Sequence, residues 1–476
     1  MKKEHNLSEL WHFKSLPVLW LYNLHYFNFL NSSSEIKNSI SLEIIDNWIE
    51  MNPPGNGVGW DSYPLSLRIV NFIKWDIRNN SLDKKQISSL AIQTRYLYQR
   101  IEYHIEGNHL IANAKALIFA GYYFEGEESD FWLKKGLDIL LKALEEQILA
   151  DGGHYERSVM YHAIVLEDLL DIEMIIKEGN REYKRKISFI NSIRLLIKKM
   201  LYWLEVMTHP DGEISFFNDS AMNIASKLDK LKKYATRLNH SISFDHERLI
   251  YLKESGYIRI ENQDIVMIID VAPIGPDFLP AHAHADTLSY ELSVQKQRII
   301  VNSGISNYEN NNQRQYERST AAHSTVEIDY KSSSEVWHKF RVARRAYPSL
   351  ISTEISENYI KIVATHNGYD YLNSKPKHIR SWIVCENSIR VEDSIRGQDN
   401  VVISRHFLHP NINHDKKQRL LHWNNKKITV NANNGNFSLI NTEWFRGFGD
   451  KENNKCIKMT PEFRNSESFC FLELSW

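Results

Sequence analysis

The segment His282-Ala283-His284-Ala285-Asp286 crowds together side chains able to move protons or hold a cation. Residues i and i+2 of an extended segment face the same way, so His282 and His284 are expected on one side of a chain that runs into the apolar stretch 288–294. In such a pair one imidazole can hold a metal or a substrate oxygen while the other moves a proton. The pair is a weak signal alone, because surface strands carry His-x-His by chance. Side chains that could act with it stand earlier in the chain: Asn108, His109, Tyr155, Glu156, Tyr161, Asn218 and Asp219.

This inventory lacks a Gly-x-Ser-x-Gly turn, a Walker loop and a reactive-cysteine signature. Glu156 and Asp219 leave hydrolysis of a glycosidic bond by two carboxylates open. A set of tyrosine, histidine and asparagine fits β-elimination from a uronic acid better. There the C5 proton is acidic only once the adjacent carboxylate is neutralised, which an amide such as Asn108, with His109 beside it, can do by hydrogen bonding. A tyrosine or a histidine then removes the proton, and a tyrosine hydroxyl can protonate the departing O4.

The elements that must position these groups come in two kinds. At 476 residues the chain exceeds the size at which one core keeps growing, so two domains are expected. Helical spacing of apolar residues marks 63–78, 84–104, 109–124, 131–149, 156–177, 189–207 and 223–238, joined by short polar connections. From about residue 252 the period changes to two, with turn signals between short runs, as in an antiparallel sandwich. Domains of 1–245 and 246–476 follow. The connections 55–64, 107–109, 151–156 and 209–219 alternate with plainly charged ones, so all four are expected on one rim of a helical array. Trp60 and Arg68, near the first of them, are candidates for positioning sugar. Asn108 could instead cap a helix, and Glu156, in the first turn of its helix, suits the helix dipole.

Composition narrows the partners. Lys+Arg of 58 against Asp+Glu of 59 leaves no global field, so a polyanion must be met by local clusters. No basic tract or recognition motif suggests nucleic acid. No run of about 18 apolar residues suggests a membrane span, and without an apolar leader at the start a cytoplasmic protein is expected. Cys385, Cys456 and Cys470 lack metal-type spacing and read as buried or free thiols. The 12 Trp, 23 Tyr and 20 Phe suit either stacking on sugar rings or a bulky core.

The blocks Gly107-Asn108-His109-Leu110, Asp151 to His162 (DGGHYERSVMYH), His209-Pro210-Asp211-Gly212-Glu213 with Phe217-Asn218-Asp219, His282 to Asp286, and Arg318 to Thr325 (RSTAAHST) resemble the heparinase II/III family of polysaccharide lyases in kind and order. The resemblance spans roughly residues 55–345. It implies an α+β multidomain fold, an incomplete (α/α) toroid of helical hairpins followed by an antiparallel β-sandwich. It also implies that Asn108 neutralises the uronate carboxylate, that Tyr161 is the acid/base tyrosine, and that His109 or His282 takes the second proton-transfer role. Zinc held by His284, Asn302 and His323 is implied as well, although Asn302 stands where a carboxylate is usual and an amide is a poor zinc ligand. Arg318, close to His323, and Glu156 join Trp60 and Arg68 as substrate-binding candidates. The alternating cations of 337–345 could bind acidic sugar or form a solvated strand face. The reading is a lyase acting on an acidic polysaccharide or oligosaccharide, in the making or turnover of such a polymer. The alternatives are a catalytically silent glycan-binding or assembly protein, or a hydrolase using Glu156 and Asp219.

Overall fold

The computed structural model describes every residue except 1–6, 14, 33–35, 180, 182–185, 245–246, 398–399, 416–418, 424–425 and 434. The expected domain boundary at 245/246 lies outside the described residues. Two compact units emerge, one of residues 1–147 with 167–195 and one of 148–166 with 196–476. The helix Val159–Glu178 therefore gives its first turns to the second unit and the rest to the first.

The first unit is helical. Its helices include Asn38–Met51, Ser62–Asn79, Lys84–Tyr98, Gly107–Tyr123 and Glu127–Gln147. Asp83 and Gln86 start Lys84–Tyr98 with a reciprocal capping box. Small residues let Gly107–Tyr123 approach its neighbour closely. A Cβ at Gly121 would stand 2.6 Å from Leu133 Cβ, and one at Gly136 would stand 2.9 Å from Ala114 O.

Aromatic rings fill the unit's first core, where Trp48 meets both Phe27 and Trp60. Here the structure corrects two substrate-binding candidates. Trp60 is buried and donates its indole N–H to Asn52 O at 3.1 Å. Arg68 is fully buried, lies 3.7 Å over the Trp48 ring and donates to Gln93, His25 O and Gly59 O. A guanidinium removed from water with its donors satisfied is a core group.

A second buried polar group is ionic. Lys115 Nζ lies 2.7 Å from Asp168 and 2.5 Å from Asp171, and Lys74 also reaches Asp171 at 2.5 Å. Burial alone would raise the Asp171 carboxyl, but the two ammonium groups outweigh it and bring it down to about 2. Lys115→Ala would remove the ammonium that the two buried carboxylates share. We expect it to cost about 3–5 kcal/mol in urea unfolding, and a loss below about 1 kcal/mol would contradict this reading of the cluster.

Among the described residues the second unit carries two nine-stranded antiparallel sheets. One runs through Leu249–Leu252, Tyr257–Asn262, Ile265–Asp270, Tyr290–Val294 and Gln297–Val301 to Val402–Leu408 and beyond. The other centres on Tyr359–His366, Lys377–Cys385, Ser388–Arg396 and Glu467–Ser475. Their inner faces share one core, in which Met267, Tyr290 and Leu292 meet Ile362, Trp382 and Leu472. The strand Tyr359–His366 buries alternate residues, whereas every residue of Ile265–Asp270 is buried. The latter is thus covered on both faces. Helices followed by antiparallel sheets is the fold class expected from the sequence. Among the described residues no helix is long and apolar enough to cross a membrane.

Inside the sandwich, buried Asp393 accepts two hydrogen bonds from Arg380 and one each from His378 and Ser404. Arg380 also donates to the carbonyls of Leu288 and Ser324 at 2.9 and 2.7 Å, and so fixes two loops described below. Burial pushes the Asp393 carboxyl up, but the guanidinium and imidazole outweigh it and hold it well below the usual range. A depressed carboxyl contributes stability above its unfolded value, near 4, and loses it as the pH falls. We therefore expect the stability gap between wild type and Asp393→Asn, read by denaturant unfolding, to be full at neutral pH and to shrink below about pH 4. A gap that grows on acidification would contradict the assignment.

Candidate active site

Three loops of the second unit are knotted together through Asn218. This residue takes the left-handed conformation (φ 55°), which asparagine tolerates better than most residues. Its amide donates to Arg157 O at 3.1 Å and its carbonyl accepts from His284 N at 3.0 Å. Its backbone N–H donates to Asp286 at 3.0 Å. The next residue repeats the pattern, since Asp219 N donates to His282 O and Ser158 Oγ donates to Asp219 O. The turn before Val159, the loop ending at Asp219 and the loop 282–289 thus share one scaffold. His282 and His284 lie in an irregular loop, and the strand expected around them begins only at Tyr290. Glu156 likewise precedes its helix, which starts at Val159.

The Asp219 side chain is the hub. One oxygen accepts from His282 Nδ1 at 2.9 Å and the other from His284 Nε2 at 2.8 Å, while Arg314 grips both at 2.5 and 2.7 Å. Burial would raise this carboxyl, but Arg314 and the two imidazoles outweigh it and hold it well below the usual carboxylate range. An ionised carboxylate only accepts, so the two ring nitrogens that face it carry hydrogens. In the neutral rings, His282 Nε2 and His284 Nδ1 are then bare acceptors.

His282 stacks on Tyr161, with ring centroids 4.0 Å apart and planes at 29°. Its Nε2 stands 3.5 Å from a Glu156 carboxylate oxygen. The Tyr161 hydroxyl lies 3.1 Å from that of Tyr308. Burial first, then the neighbouring Tyr308, Asp219 and Glu156, raise the Tyr161 hydroxyl well above its ordinary value, so it keeps its proton at neutral pH. The site therefore sets an imidazole nitrogen, bare whenever the ring is neutral, beside a protonated phenol, a base and an acid in one place.

His284 faces away from this pair toward His323, its Nδ1 lying 3.1 Å from His323 Nε2. His323 Nδ1 donates to Ser319 O at 2.7 Å, so its Nε2 is bare as well. Burial brings His284 down to about 4 despite Asp219, and burial with the neighbouring His284 brings His323 down to about 3, so both rings are neutral near pH 7. Two bare nitrogens at this distance repel unless a cation lies between them. Asp286 supplies a carboxylate, and the three ligand atoms lie within 4.8 Å of one another. Burial pushes the Asp286 carboxyl up to about 7, a cost that a cation would relieve. The donor set fits a metal ion.

That set differs from the one expected. The carboxylate that gathers with His284 and His323 is Asp286, whereas the amide of Asn302 is spent on the scaffold. Its oxygen accepts from Ser324 N at 2.9 Å and its nitrogen donates to Phe216 O and Ser289 Oγ. Arg318 is corrected in the same way. It is fully buried and donates to the carbonyls of Ala283, Trp337 and His338. It holds the backbone between the two histidines and is not presented to a sugar.

Asn108 and His109 belong to the helical unit. The residue before Gly107–Tyr123 is Glu106, so buried Asn108 stands inside the first turn and is not its cap. His109 stacks on Tyr63 at 4.2 Å, and its Nδ1 lies 3.3 Å from Glu102. Three groups of the site escaped sequence reasoning: the hub role of Asp219, and Tyr308 and Arg314 altogether. Arg314 and Arg318, one helical turn apart, are the one local signal that could have drawn attention to that segment.

Asp219→Asn keeps the shape and removes the charge. We expect imidazole nitrogen NMR at neutral pH to show a fixed Nδ1–H tautomer of His282 in wild type and a mixed or reversed tautomer in the variant. An unchanged tautomer would contradict the role given to Asp219.

Comparison with known proteins adds three findings. The family model "Heparinase II/III N-terminus" matches residues 43–244, and "Heparinase II/III-like, C-terminal" matches residues 245–467. A heparin-sulfate lyase of Bacteroides stercoris is 26% identical over 337 residues, covering 65% of this chain and 46% of that protein. An FtsZ-localized protein C of Caulobacter vibrioides is 23% identical over 379 residues, covering 76% of this chain and 61% of that protein. The chain thus spans less than two thirds of either relative's length. A crystal structure of heparinase III superposes with a TM-score of 0.77 at 18% identity, covering 96% of this chain and 76% of that one, which is a likeness of fold.

Proposed function

The chain belongs to the heparinase II/III family, and from that premise we propose that it is a polysaccharide lyase that cleaves an acidic, uronate-containing glycan by β-elimination. The observation that carries this reading is the pairing of His282, its Nδ1 tied to Asp219, with the protonated hydroxyl of Tyr161 stacked against it. His282 Nε2 takes the C5 proton, and the electron pair of that C–H bond becomes the C4=C5 double bond. The C4–O4 bond breaks, and the departing O4 takes the hydroxyl proton of Tyr161. Tyr308 donates a hydrogen bond to the Tyr161 oxygen as its charge develops. Asn108 keeps the role of neutralising the uronate carboxylate, and its support is the sequence block Gly107-Asn108-His109 alone.

Asp219 argues against hydrolysis with Glu156. A carboxylate saturated by a guanidinium and two imidazoles is a poor nucleophile and cannot serve as an acid. Zinc suits two imidazoles and a carboxylate, so His284, Asp286 and His323 would hold it. When bound, the ion would supply the positive charge that fixes the loop carrying His282. A second reading, a protein that holds a glycan without cleaving it, draws on the relative from Caulobacter vibrioides, whose name denotes a place and no lyase activity.

The test is ultraviolet detection of unsaturated product over a panel of acidic polysaccharides that includes heparan sulfate. We expect wild type to generate the absorbance and Tyr161→Phe to lose at least about 10²-fold in kcat. Saturated fragments would favour hydrolysis, and binding without fragments would favour the second reading. The metal assignment is checked apart from activity. Zinc added to the chelator-treated protein should raise its melting temperature by a few degrees in wild type and not in His323→Ala. Equal responses would overturn the ligand set.

A further inference from the structure

The short hairpin formed by Val336–Trp337 and Arg341–Val342 stands apart from the two large sheets. Residues 331–345 carry five Lys or Arg (Lys331, Lys339, Arg341, Arg344, Arg345) against one acid, Glu335, in a chain of net charge −1. Two of these cations are already committed. Arg344 donates to Ser333 O and Gly368 O, and Arg345 pairs with Asp277. At the tip the picture changes. Arg341 is exposed and has no ion-pair partner among the described residues. Lys339 reaches Glu309 only at 3.6 Å, and Trp337 is 51% exposed.

This tip is not loose. His338 takes a left-handed conformation (φ 52°), which a side chain adopts at a cost of about 1 kcal/mol or more. Three side chains of the helix Asn312–Arg318 hold it there: Arg314 donates to Lys339 O, Gln315 to His338 O, and Arg318 to the carbonyls of Trp337 and His338. The guanidinium of Arg314 that grips Lys339 O is the one that grips Asp219. Phe340 turns inward, 5.8 Å from the His282 ring and 5.3 Å from Tyr308. A hairpin that only walled the site would need Phe340 and its backbone. It would not need an indole and a guanidinium held out in water on a rigid backbone.

We propose that the tip Trp337–Arg341 is an arm that grips the glycan beside the sugar being cleaved. Trp337 stacks on the apolar face of a pyranose ring, and Arg341, with Lys339 beside it, pairs with an oxyanion of a neighbouring sugar. That oxyanion is a uronate carboxylate or a sulfate, and the arm is one whose ring and charge contacts can be lost separately. The proposal rests on the lyase reading for its substrate but concerns binding, so it can be tested without turnover.

The experiment passes the full-length protein over immobilised heparan sulfate and over the same polymer chemically desulfated, and measures KM and kcat on the soluble polymers. Trp337→Ala and Arg341→Ala should each elute at lower salt than wild type, and Arg341→Lys should recover part of the loss. KM should rise about tenfold in the Ala variants while kcat stays within about twofold. A loss confined to the sulfated polymer assigns Arg341 to sulfate, and an equal loss on both assigns it to carboxylate. Variants that elute with wild type, or a wild type that is not retained, overturn the arm. Weaker retention of the variants with no unsaturated product from any of them keeps the arm and overturns the lyase reading. Cleavage with wild-type KM in both Ala variants does the reverse.

Discussion

One buried carboxylate, that of Asp219, accepts from two imidazoles and a guanidinium, and the chemistry of the site follows from that charge. It puts the hydrogen of His282 on Nδ1 and that of His284 on Nε2. The first consequence is a base aimed at the space beside Tyr161. The second is a bare nitrogen on His284 that meets another on His323. The proposed proton-transfer pair and the candidate cation ligands are thus two sides of one interaction. Arg314 counters the burial that by itself would raise this carboxyl.

The surrounding structure holds this charge in place by satisfying backbone groups with buried side chains. Asn218 binds the loops around it through its own backbone and side chain. Arg318 fixes the Ala283 carbonyl between the two histidines. From the sandwich core, Arg380 reaches the carbonyls of Leu288 and Ser324, one at the end of the histidine loop and one next to His323. A buried guanidinium offers five donors in a fixed plane, so one residue can position several loop carbonyls at once. Arg318, which from the sequence is a candidate for binding acidic sugar, is here part of the frame of the site.

The fold class was legible because periodicity is local. Apolar spacing of 3.6 gives way to alternation near residue 250, and the two sheets follow. Tyr161 and His282 stood out through the blocks in which they occur. Asp219 was visible as a residue but not as a hub, since its three partners lie 63, 65 and 95 residues away in the sequence. Proximity to an unusual loop made Trp60 and Arg68 look available to sugar, yet their partners in the core, Asn52 and Gln93 among them, become apparent only when the helices are packed. Asn302 stands at a ligand position only by its place in the family's pattern. The structure gives its amide to Ser324, Phe216 and Ser289, while Asp286, inside the quoted histidine block, carries the carboxylate. In each case the missing information was a contact made only in the folded chain, to which residue type and spacing are blind.

The most direct test of this account is the rate at which Asp219→Asn forms unsaturated product from heparan sulfate, or from whichever polymer of the panel wild type cleaves. With the charge gone and the shape kept, His282 loses its enforced tautomer. The rate should fall by about 10²- to 10⁴-fold while retention on the immobilised polymer holds. A rate within about twofold of wild type, or saturated products from either protein, would contradict the claim that Asp219 sets up the base of an elimination.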